Sequence, residues 1–127
     1  HKFHWELLLP ASSIGFFTTA VLNINNMRDH EADAKSGKNT LVVRIGIEKA
    51  KNYHRALIFG GITLAFVFVI PSSQYFHYAF AVTIPLFVRF VQSIRKRNDF
   101  ENFDPFLKKQ ATATFIFAIL FVLGINM

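Results

Sequence analysis

The stretch from Leu7 to Met27 reads LLLPASSIGFFTTAVLNINNM and contains no Asp, Glu, Lys or Arg. As a helix rising about 1.5 Å per residue, it reaches roughly the 30 Å thickness of a bilayer's hydrocarbon core. Two further runs share this character. Ala56–Val88 is charge-free over 33 residues, and Gln110–Met127 is charge-free to the end of the sequence. The middle run is too long for one crossing and is broken at Pro71-Ser72-Ser73-Gln74, so it reads as two. These runs predict an all-α, polytopic transmembrane bundle with four spans, at about 5–27, 56–71, 75–94 and 110–127. Two long loops, 28–55 and 95–109, connect them on one side.

The charges fix an orientation. Formal net charge is +6, which suggests nucleic acid at first sight, but the positions argue otherwise. Seven Lys and Arg fall between the first and second spans, six more run from Arg89, near the cytoplasmic end of the third span, to Lys109 before the fourth, and only Lys2 lies on the other side. That bias is the signature of cytoplasmic loops, so 28–55 and 95–109 face the cytoplasm and the Pro71–His77 turn faces out. Topology and anionic lipid account for the basic charge, and no nucleic-acid partner is implied. Trp5, Tyr75 and Tyr78 fall at the outer interface, where amphipathic rings are favoured. Cysteine is absent and 52% of residues are hydrophobic, which excludes a disulfide-stapled module, a thiolate metal site and a disordered tail. The chain begins at His1 without a basic region before its first span, and reads as the C-terminal part of something longer.

Finer features follow from the local pattern. The first helix continues past its span to about Asp33. Gly37 and Gly46 bound a loop in which Thr40-Leu41-Val42-Val43 reads as extended, placed to cap the residues beside it. Pro85 falls inside the third span, and Phe100, Phe103, Phe106 and Leu107 suggest a short segment lying on the bilayer surface. Ala56, Gly60, Ala111 and Ala118 supply small residues for close helix packing.

One segment carries chemistry. Asn25, Asp29 and Asp33 recur every fourth residue, so on a helix they share one face where the span meets the cytoplasm. Two carboxylates so spaced repel by a few tenths of a kcal/mol in water, and more where the dielectric falls. A cation between them relieves that. Hard carboxylate and amide oxygens suit Mg²⁺, which takes one or two carboxylates and completes its shell with water and phosphate oxygens. Arg28, Lys35 and Lys38 stand close enough to neutralise a phosphorylated ligand. No Ser–His–Asp arrangement, Gly-rich nucleotide loop or Cys motif accompanies them, and His30, His54 and His77 are too dispersed for a metal site.

Here the sequence resembles the UbiA superfamily of intramembrane prenyltransferases, most closely its 1,4-dihydroxy-2-naphthoate branch in menaquinone biosynthesis. The matching elements are Asn25-Asn26-x-Arg28-Asp29-x-x-x-Asp33 and Gly37-Lys38-x-Thr40-Leu41-x-Val43-Arg44-x-Gly46. The resemblance implies a nine-helix fold with two aspartate-rich motifs facing across a cavity, of which this chain supplies the last four helices and the second motif. The N-terminal half of the same protein would be its partner. It further implies that Asp29 and Asp33 are catalytic and, with Asn25, hold Mg²⁺. Arg28, Lys35, Lys38 and Asn26 would contact the diphosphate of a polyprenyl diphosphate, and an aromatic quinone precursor would be the acceptor. The implied location is the cytoplasmic membrane, with the active site toward the cytoplasm. One departure stands out: Ala34 occupies the position where such enzymes commonly carry Arg. The alternatives are a relative with a different aromatic acceptor or, from another class, an ion-coupled transporter with membrane-edge aspartates.

Overall fold

The computed structural model describes residues 5–97 and 103–127. After a single 3-10 turn at Trp5–Leu7 come α1 (Leu8–Lys35), a short α2 (Leu41–Ile45) and α3 (Ile47–Val69). A 3-10 helix, Tyr75–Thr83, runs directly into α4 (Ile84–Lys96), and α5 (Asp104–Asn126) closes the chain. Among the described residues, four helices are long and apolar enough to cross a membrane: Trp5–Lys35, Ile47–Val69, Tyr75–Lys96 and Asp104–Asn126. At most a third of each apolar window is buried inside the bundle. The outward faces carry Leu22, Phe59, Val67, Phe115, Ile119 and Val122. A helix apolar on its buried and outer faces alike has lipid as its solvent. The chain is a multi-pass helical membrane bundle.

Ring packing holds the centre. Phe17 of α1 stacks on Phe87 of α4 with centroids 4.5 Å apart and meets Phe117 of α5 at 4.4 Å. Phe80 packs edge-on against Phe117 and Phe121. α1 lies most extensively against α3, where Ser13 donates to the carbonyl of Gly61 at 2.7 Å. A Cβ on Gly60 would meet the Phe16 ring at 2.7 Å, so this glycine, expected as a packing residue, does permit a close approach. Ala111 and Ala118 instead line a shallow groove with Ile14, Thr18 and Val21.

At the charged end of the bundle a second cluster packs Ile24, Met27, Val42, Ala50, Ile94 and Phe103. Two expectations are corrected there. Thr40–Val43 is not extended: Leu41–Ile45 is helical, because the Thr40 hydroxyl accepts from the backbone N–H of Val43 and supplies an N-cap. Gly46, at φ 80°, then separates α2 from α3 in a conformation that favours glycine. Phe103 does not lie on a bilayer surface. It is fully buried, and Phe106 and Leu107 belong to the opening turns of α5 and pack on the same cluster. Phe100 lies outside the described residues, as do Lys2 and His4. Pro85 does fall inside the third span, in the first α-helical turn, where 3-10 geometry gives way to α.

Candidate functional site at the charged end of the first helix

α1 continues for two turns beyond its apolar span and places the polar segment on rigid helix. Its end is shaped by Gly37, whose φ of 77° turns the chain back. The N–H of Gly37 then reaches the carbonyl of Ala34, and that of Lys38 reaches the carbonyl of Asp33 at 2.9 Å. This is the Schellman arrangement of a helix C-terminus. It also directs the Lys38 side chain, whose Nζ donates to Asp33 Oδ1 at 3.1 Å. Asp33 is buried, with 8% of its surface exposed.

Asp29 has a different partner. Arg28 donates from Nε to Asp29 Oδ1 at 2.8 Å and from Nη2 to Oδ2 at 3.0 Å, a bidentate pair. Nη2 also donates to Asn25 Oδ1 at 2.9 Å, and Asn25 Nδ2 lies 3.4 Å from Asp29 Oδ2. Nη1 donates to Asp104 at the start of α5. The Arg28 guanidinium holds the Asp29 carboxyl below its ordinary range, against a smaller opposing effect of desolvation, and is itself raised by the two carboxylates. Four of the five Arg28 N–H groups are thus engaged within the chain.

The structure therefore joins Asn25, Arg28 and Asp29 in one hydrogen-bonded group and sets Asp33 with Lys38 in another. Asn26 lines a small cleft, about 110 Å³, with Thr19, Leu22, Asn23, Leu41 and Tyr53. Lys35 stands exposed in the last turn of α1. The relative angles follow from helix geometry: each step of four residues advances about 40° around the axis. Asn25 and Asp33 thus differ by about 80°, and Asn26 and Asp33, seven apart, nearly align.

Asn25, Asp29 and Asp33 offer the hard oxygen donors that Mg²⁺ takes. Among the described residues no group of three or more His, Cys, Asp or Glu could enclose a metal. Two carboxylates and an amide oxygen within two turns are nonetheless a donor set Mg²⁺ accepts when phosphate oxygens and water complete its shell.

Asp104 was not among the residues the sequence singled out. Asp104-Pro105 signals a helix start, but nothing in the pattern ties it to a residue 76 positions earlier. Among the described residues, buried polar atoms without a hydrogen-bond partner include Asn23 Oδ1, both amide atoms of Gln110 and Thr114 Oγ1. Asn23 Nδ2 donates to the carbonyl of Ala50 at 3.0 Å and so pins α3 to α1 one turn below the site.

A model of the UbiA prenyltransferase family matches residues 1–119. The chain is similar to the 1,4-dihydroxy-2-naphthoate octaprenyltransferase of Escherichia coli (strain K12), 38% identical over 120 residues, which cover 94% of this chain and 39% of that protein. The enzyme of the same name from Haemophilus influenzae is 33% identical over 126 residues, covering 98% of this chain and 41% of the relative. The one from Mycobacterium leprae is 30% identical over 115 residues, covering 91% and 38%. The chain spans about two fifths of the length of these relatives. No solved structure matches it.

Proposed function

The chain belongs to the UbiA prenyltransferase family, and we propose that its protein transfers a prenyl group from a polyprenyl diphosphate to 1,4-dihydroxy-2-naphthoate in menaquinone biosynthesis, with Mg²⁺ as cofactor. The observation that carries this reading is the likeness to naphthoate octaprenyltransferases along nearly the whole chain. It coincides with an Asn25/Asp29/Asp33 set at the charged end of a membrane helix.

In this reading Asp29, Asp33 and Asn25 hold the metal, which when bound supplies positive charge opposite the departing diphosphate. Lys38 and Lys35 add cationic contacts to the same oxygens, where negative charge grows as the allylic C–O bond breaks. Lys38 already reaches the site through Asp33 and keeps most of its side chain exposed. Asn26, which lines the small cleft together with Leu41 and Tyr53, adds a polar contact to the same group. The bundle below offers apolar surface for the isoprenoid, and the electron-rich acceptor ring attacks the allylic cation. The ring then loses its carboxylate as CO₂. The excess of Lys and Arg in the loops supports a cytoplasmic orientation for this end, and with it a site that faces inward from the cytoplasmic membrane.

The test is a product assay on membranes holding the full-length protein, offered polyprenyl diphosphate and either dihydroxynaphthoate or hydroxybenzoate, with and without Mg²⁺. The expected result is a prenylated, decarboxylated naphthol that forms only with the metal. Product from hydroxybenzoate alone would move the protein to another branch of the family, and no product with either acceptor would remove the reading.

A further inference from the structure

Arg28 faces two carboxylates in opposite directions. On one side it grips Asp29 through two hydrogen bonds and Asn25 through a third; on the other it is held by Asp104. We propose that Asp104 is a positioning residue for the metal-binding group, acting through Arg28 to fix the orientation of Asp29 and Asn25; this rests on the function proposed above.

The argument begins with the freedom each side chain has. Arg28 and Asp29 are neighbours on a helix and project about 100° apart, so nothing in helix geometry makes them meet. The guanidinium meets Asp29 and Asn25 on one side, and an anchor on its far side restricts it further. Asp104 supplies that anchor from another helix, and its own place is fixed. The preceding residue, Phe103, is fully buried in one cluster with Ile24 and Met27 of α1 and with Val42, Ala50 and Ile94. Phe103 stacks on Phe106 at 5.3 Å, and the Arg97 guanidinium lies over the Phe106 ring at 4.4 Å. As the first residue of α5, Asp104 is also favoured by the helix N-terminus. The entry of the last span is in this way tied to the ligand residues of the first.

The anchor has a chemical consequence. A guanidinium bound only to Asp29 competes with a divalent cation for the same oxygens. Held from behind by Asp104, part of its charge is answered elsewhere, while its planar fork keeps the Asp29 carboxylate in one rotamer. Groups that orient a ligand residue from outside commonly change metal affinity 10–100-fold when removed. Asp104 is largely exposed, at 68% of its side chain, so the lower end of that range applies.

The experiment uses the full-length protein in detergent with Asp104→Asn, Asp104→Glu and Arg28→Gln. Binding of Mn²⁺ in the presence of inorganic pyrophosphate is read by electron paramagnetic resonance, alongside the KM for each prenyl-transfer substrate. Asp104→Asn should weaken Mn²⁺ binding about tenfold and raise the KM for the diphosphate while leaving that for the aromatic acceptor unchanged; Asp104→Glu should restore both. Unchanged Mn²⁺ binding in Asp104→Asn, or an equal shift of both KM values, overturns the proposal. A thermal-unfolding cycle over Arg28→Gln, Asp104→Asn and the double variant reads the contact itself. If the parent protein binds no Mn²⁺ yet the cycle shows coupling, the functional reading fails and Asp104 is reduced to a structural latch. If the cycle is additive, the contact is absent in solution and the proposal falls alone.

Discussion

Lys38 is bound to Asp33 twice, once through its backbone N–H to the Asp33 carbonyl at 2.9 Å and once through Nζ to the carboxylate at 3.1 Å. The same turn at Gly37 that ends α1 makes both contacts, so helix termination and charge neutralisation are one structural event. Asp29, one turn away, leans on Arg28 instead. The repulsion expected between the two carboxylates is thus relieved by two separate internal cations, which also orient the two side chains.

Asp29→Asn and Asp33→Asn keep the shape of each side chain and remove its charge. Each should lower prenyl transfer by the full-length protein by roughly a hundredfold or more, the scale of removing one group that stabilises developing charge. Insertion should be unaffected, since both residues lie beyond the apolar run. Activity per inserted protein, quantified in isolated membranes, checks this; turnover near the parent level in either variant contradicts the assignment.

Ala34 is exposed on the last turn of α1, between Asp33 and Lys35. An arginine there meets open solvent and costs nothing in packing. Ala34→Arg should therefore fold as the parent does and lower the KM for the prenyl diphosphate, by a few-fold if it adds one charge-assisted contact of about 1 kcal/mol. A rise in that KM with unchanged stability would show that position 34 faces away from the diphosphate.

The spans were legible because a membrane leaves a plain mark: the absence of Asp, Glu, Lys and Arg over Leu7–Met27 follows from the cost of placing a charge in hydrocarbon. The stripe of Asn25, Asp29 and Asp33 was legible for a similar reason, because helical period alone puts these residues on one side. What escaped is what period cannot express. Five residues, Leu41–Ile45, are too few to show a helical repeat, and a short run bounded by Gly37 and Gly46 reads as extended loop. The informative signal was the hydroxyl of Thr40 three residues before the N–H it caps. The pairing of Arg28 with Asp104 depends on how α5 enters the bundle, which is set by Phe103 burying itself in one cluster with Ile24 and Met27 of α1. Composition around Phe103, aromatic residues among charges, resembles an interfacial anchor just as well.

The N-cap can be tested directly. Thr40→Ala removes the acceptor for the Val43 N–H, a loss of about 1 kcal/mol where caps have been measured, and α2 has no second turn to compensate. Amide hydrogen exchange at Val43 and Arg44 should speed several-fold, while α3 stays protected. Thr40→Ser should restore the slow exchange. Equal exchange in Thr40→Ala and the parent would mean that burial of Val42, and not the hydroxyl, holds the turn.

Gly124 makes the tightest backbone approach at the opposite end of the bundle. A Cβ there would lie 2.5 Å from the carbonyl oxygen of Phe76 and 3.6 Å from the Cα of His77. Both are backbone atoms, so no side chain can swing aside; α5 would have to lift off the 3-10 helix and loosen the Phe80 contacts with Phe117 and Phe121. Forced overpacking of this kind costs about 1–3 kcal/mol. Gly15 is the control, because an added methyl there meets nothing within 4 Å and alanine favours the helix by about 1 kcal/mol. In detergent, Gly124→Ala should lower the Tm of the full-length protein and Gly15→Ala should leave it equal or raise it. Because Gly124 lies at the far end from Asp29, the KM for the prenyl diphosphate should stay at the parent value in Gly124→Ala below its Tm. If instead that KM moved while the Tm did not, the α5 entry at Asp104 and its exit at Gly124 would be mechanically coupled, and α5 would have to slide along its axis rather than be clamped at both ends.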